Sequence, residues 1–95
     1  MLSSKAIIYL MNRKQQRTLS SIFAEPTSAS IKFADIEKLL VALGAEVTKG
    51  SGSRLAFALN NQKLFVHRPH PAKEAKKYQV EVFREFLELA GIKNE

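Results

Sequence analysis

Apolar side chains recur every three or four positions along FADIEKLLVALG (33–44), where Phe33, Ile36, Leu39, Leu40 and Leu43 form one stripe. That period predicts an amphipathic helix, and Gly44 follows where a left-handed cap is wanted. From residue 45 the period falls to two. AEVTK (45–49) reads as a short strand with Ala45 and Val47 inward. In RLAFALN, Leu55, Phe57 and Leu59 alternate with Arg54, Ala56 and Ala58; in QKLFVH, Leu64 and Val66 alternate with Lys63, Phe65 and His67. Two half-buried strands are expected. The helical period then returns. Ala75, Tyr78, Gln79, Val82, Phe83, Phe86, Leu87 and Ala90 share a broad face, predicting a helix over 71–90 that Pro71 opens and Gly91 ends. Upstream, the good helix formers of 13–17 and the face of Leu19, Ile22 and Phe23 predict a helix over 4–24, stopped by Pro26 and TSAS.

Asn60-Asn61, between the two longer strands, tolerates the positive φ angles of a two-residue hairpin turn. If both occupy the turn, Leu59 faces Gln62, Phe57 faces Leu64 and Leu55 faces Val66, so the buried faces coincide. On the other face Ala56 opposes Phe65, and Arg54 opposes His67 with Cβ atoms ~5 Å apart. The fold class is α+β in the order α-α-β-β-β-α: a three-stranded antiparallel sheet with helices on one face. No internal repeat appears.

Ninety-five residues make one small domain rather than two. The absence of cysteine removes disulfides and thiolate metal sites. AIIYLM (6–11) is too short to cross a bilayer, so a soluble, cytoplasmic protein without membrane partners is expected. Met1 and Met11 both offer a start, which leaves 1–10 readable as a loosely attached extension. Charge changes the picture more. Residues 49–80 set Lys49, Arg54, Lys63, Arg68, Lys73, Lys76 and Lys77 against Glu74 alone, so this third holds the equivalent of the whole net charge of +6. A confined basic patch points to a polyanion, most often nucleic acid, or else to a solvated surface.

Lys73, Lys76 and Lys77 crowd the expected N-terminal end of the last helix, while Glu81, Glu85 and Glu88 lie in its C-terminal half. This order opposes the helix dipole, at about 0.3–1 kcal/mol per misplaced charge; an anion docked at the helix start would account for it. VHRPHP (66–71) leads to that end and holds both histidines with Arg68 between them. Imidazole can take a proton from a ribose 2′-hydroxyl or return one to the leaving oxygen, and a guanidinium can meet charge on phosphate. A hydrogen-bonded turn is the plainer alternative. A zinc site lacks a third histidine or cysteine, and no cofactor motif is present. The KGSGS loop, with Lys49, Ser51 and Ser53, can contribute to phosphate binding. Without a Gly-Lys-Ser/Thr ending it is no P-loop, and a flexible hairpin connection is its simpler reading.

IEKLLVALGAEVTKGSGSRLAF, a short hairpin, FVHRPHP and the closing VFREFLELAGI together resemble the HicA family of toxin–antitoxin toxins. The resemblance divides the chain into an N-terminal helical extension and linker, 1–32, and a toxin-like domain, 33–92. It implies a fold similar to a double-stranded RNA-binding domain, mRNA cleavage, and a HicB-type antitoxin as partner. Family members commonly carry Gly-Ser-His at the start of the second strand, with the histidine taken as catalytic. Here Gly52, Ser53 and Arg54 stand there, and His70 matches another histidine often found in the family.

Two hypotheses follow. In one, His67 replaces the missing imidazole, with His70 as second proton-transfer group and Arg54 on the scissile phosphate; Lys49, Ser51, Ser53, Arg68, Lys73, Lys76 and Lys77 bind RNA. In the other, cleavage is lost and only RNA or partner binding survives.

Overall fold

The structure, a computed structural model, describes residues 10–94. Its elements are α1 (Arg13–Phe23), α2 (Phe33–Ala42), β1 (Glu46–Lys49), β2 (Arg54–Leu59), β3 (Gln62–His67) and α3 (Lys77–Leu89). The expected α-α-β-β-β-α order holds. The sheet is antiparallel throughout, in the order β1-β2-β3.

The hairpin takes the register that the asparagine turn dictates. Asn60 and Asn61 have φ of 48° and 66°, and Leu59↔Gln62, Phe57↔Leu64, Leu55↔Val66 and Arg54↔His67 are paired. Leu55, Phe57 and Leu59 are buried beneath the helices, and Leu64 and Val66 pack on them half-buried. At the centre three phenylalanines, one each from α2, β2 and α3, meet edge to face. Phe83 lies 5.7 Å from both Phe33 and Phe57, centroid to centroid. Each such pair adds about 0.5–1.5 kcal/mol beyond area burial. The stripe of α2 is buried as its period requires, and Gly44, at φ +100°, turns the chain towards β1.

Both outer helices depart from their expected bounds. The first starts at Arg13, because Asn12 and Gln15 close a capping box (Gln15 N to Asn12 Oδ1, 2.8 Å; Asn12 N to Gln15 Oε1, 3.1 Å). Met11, just before it, is buried in the core, and the expected stretch 4–9 lies outside the described residues. The last helix starts at Lys77 rather than Pro71. Residues 73–75 are held extended instead: Phe33 N donates to Lys73 O, Ala75 N donates to Ile31 O, and Ala75 is buried. Two long-range backbone bonds and a buried methyl outweigh the local start signal of a proline.

Helix α1 is part of the core, through Leu19 and Ile22. Arg84 of α3 secures the turn that follows it. Its guanidinium donates to Ile22 O (2.8 Å), Ala24 O (3.3 Å), Glu25 Oε1 (2.8 Å) and Thr27 Oγ1 (3.2 Å).

Candidate functional site

The pleat sends Arg54 and Ala56 of β2, and Lys63, Phe65 and His67 of β3, to the sheet face opposite the core. Arg54 and His67 are exposed partners at the mouth of the hairpin. The turn 50–53 shapes that mouth. Gly52 takes φ +65°, Gly50 N donates to Arg54 O (3.0 Å), and Arg54 N donates to Ser51 O (3.3 Å). Arg68 N donates to Ser53 O (2.8 Å), which carries the ladder one step past the strands and sets Ser53 beside His67. Ser53 Oγ and His67 Nδ1 are then 3.1 Å apart and hydrogen-bonded, a contact that orients the ring.

A buried glutamine joins this mouth to the start of α3. Gln79, 3% exposed, donates through Nε2 to His67 O (2.8 Å) and accepts at Oε1 from Lys76 N (3.0 Å). The first contact locks the backbone of His67; the second caps the helix. Lys76 and Lys77 therefore stand at the end of β3. The helix keeps its inverted charge order, with no acidic residue in its first turn and no basic one in its last.

The expected site residues fall into two groups. Ser53, Arg54 and His67 meet at the hairpin mouth, with Lys49 and Ser51 in the adjoining turn; Lys76 and Lys77 open α3, which is joined to the backbone of His67 through Gln79. Arg68 and Lys73 lie instead around the start of α2, in a shallow depression with Lys32, Phe33 and Pro71. Arg68 forms a two-pronged ion pair with Glu37, its Nη2 3.2 Å from Oε2, and lies 5.9 Å from the centroid of the Phe33 ring. Its charge is met within the fold. Lys73 lies in the extended segment ahead of α3, not on the helix. His70 is exposed in the loop between β3 and that segment.

The helical period puts Gln79 on the buried face of the last helix, but its bond to His67, twelve residues away, leaves no local signal. Nor does the pairing of Glu37. The strand alternation sends Phe65 outward, opposite Ala56.

The family model for the HicA toxin of bacterial toxin–antitoxin systems matches residues 33–92, from the first residue of α2 to just beyond α3. The chain belongs to the HicA toxin family. HicA toxins act with an antitoxin, and the hairpin mouth, the Gln79 joint and the Arg68–Glu37 pair all lie within the matched span. Helix α1 lies outside it. Comparison with curated proteins and with solved structures gave no match. Among the described residues no helix is long and apolar enough to cross a membrane, and no three His, Cys, Asp or Glu side chains gather in a way that could hold a metal ion.

Proposed function

We propose that this HicA-family toxin is an mRNA interferase of the cytoplasm, neutralised by a HicB-type antitoxin. The matched domain, 33–92, carries the chemistry and residues 1–32 extend it. The observation that carries the reading is the cluster at the hairpin mouth: His67, oriented by Ser53, directly across the ladder from Arg54. His67 takes the proton of a ribose 2′-hydroxyl, whose oxygen attacks the adjacent phosphorus. The bond to the 5′-oxygen breaks, and His70 returns a proton to that oxygen, leaving a cyclic phosphate and a free 5′-hydroxyl. Arg54 meets the charge building on the phosphate oxygens. Lys49, Ser51, Lys76 and Lys77 hold the flanking backbone, and Lys73 extends the basic track. Arg68, paired with Glu37, braces the loop that carries His70.

One observation favours a second reading. Arg54 stands where the family commonly has its histidine, which suits a domain that binds RNA without cutting it.

Induced expression of the wild type beside His67→Ala, His70→Ala and Arg54→Ala separates the two. Growth arrest with fragmented transcripts in the wild type, relieved in His67→Ala, His70→Ala and Arg54→Ala, is expected. Full toxicity in all three variants would remove the site. A harmless wild type that retains RNA in a salt-sensitive manner would leave the binding domain.

A further inference from the structure

The cleavage chemistry leaves one feature of the open sheet face unused. Phe65 points outward with 73% of its surface exposed. It is paired across the ladder with Ala56, and the next outward residue of β2 is Ala58. Alanine is a poor strand former, and a β-branched residue at either position would pack against the ring. The two alanines leave the ring bare, and a shallow depression opens beside it at Ala56, lined also by Thr48, Arg54, Phe65 and His67. Stability does not account for a phenyl ring kept in water above a strip of methyl groups.

Charge gives the depression its occupant. Lys63, Phe65 and His67 are successive outward positions on β3, and Arg54 faces His67. Each step along that row is about 6.8 Å. A flat aromatic ring therefore stands between an ammonium on one side and a guanidinium–imidazole pair on the other. An extended nucleotide chain offers the complement, a flat base between two phosphates. Glu46 is the sole carboxylate on that face among the described residues, so the ring is flanked by cations with no acid of the chain beside them, and an occupant that is apolar alone would leave them unmatched.

We infer that Phe65 is a stacking platform for one unpaired nucleobase, with the flanking phosphates held by Lys63 and Arg54, so that the substrate is single-stranded RNA. The inference rests on the RNA-cleaving reading and names its substrate class. A duplex keeps its base faces stacked within the helix and cannot present one to the ring.

Binding of the full chain to a fluorescent 2′-O-methyl oligonucleotide, which cannot be cut by 2′-oxygen attack, tests this by anisotropy. The single strand is expected to bind more tightly than the matching duplex. Phe65→Ala and Phe65→Leu are each expected to weaken single-strand binding about 5- to 150-fold, while Phe65→Trp retains it. The exposed position keeps these variants folded, as unchanged thermal melts verify. RNA bound equally well by Phe65→Ala, or by Phe65→Leu, overturns the platform and leaves the RNA-binding reading standing. Duplex preferred over single strand also overturns it. A wild type that binds neither probe overturns both.

Discussion

Replacing Gln79 by alanine removes two hydrogen bonds from a side chain that is 3% exposed, those to His67 O and from Lys76 N. Each is worth about 1 kcal/mol net, rising to about 2 kcal/mol where the abandoned partner is kept partly out of water. The sum is about 2–4 kcal/mol, a large part of the 5–15 kcal/mol that holds an ordinary domain together. For a domain of this length 1 kcal/mol shifts the melting temperature by about 5 °C, so a fall of about 10–20 °C is expected. Urea titration should show a lower midpoint at constant slope, since the surface exposed on unfolding is unchanged. Gln79→Glu separates the two bonds: it keeps the acceptor for Lys76 N and loses the donor to His67 O. Protonation of the new carboxyl restores the donor to His67 O. That variant should therefore gain on wild type as pH falls and its carboxyl takes up a proton. Below the melting range, RNA cleavage by Gln79→Ala should fall further than its folded fraction does, because the end of β3 is released. Stability within 0.5 kcal/mol of wild type, or a Gln79→Glu variant indifferent to pH, would refute the joint.

Two further outcomes test the frame around the site. Arg84→Met should cost about 2–4 kcal/mol in urea titration by stripping acceptors from the turn after α1, and Arg84→Lys should recover less than half, since an ammonium cannot fork to several carbonyls. Equal stability of the lysine variant would show that charge alone suffices. Asn61→Gly should be neutral or slightly stabilising at its φ of 66°, whereas Asn60→Gly should cost about 1 kcal/mol despite an equally permissive backbone. The difference is the bond from Asn60 Nδ2 to Ala90 O (2.8 Å), and identical melts for the two variants would dismiss it.

Much of the fold was written locally. The hairpin register was legible because two signals agreed: a turn dipeptide that accepts positive φ, and an alternation that a one-residue slip would invert. The stripe of α2 was legible for a similar reason. The start of α3 was not, because residues 73–75 answer to Ile31 and Phe33, far away in sequence. The start of α1 is written in the Asn12–Gln15 spacing, which the apolar period alone does not reveal. At the site, the facing of Arg54 and His67 followed from the register, as did the outward aim of Phe65. The pairing of Arg68 with Glu37 and of Gln79 with His67 needed the tertiary packing that only coordinates supply.

Helix α3 is fastened to the hairpin at both ends, by Gln79 on His67 near its start and by Asn60 on Ala90 at its close. The two elements thus behave as a bar bolted to a plate. A load applied to the solvent side of α3 is therefore passed to the sheet at two points, one at each end of the helix.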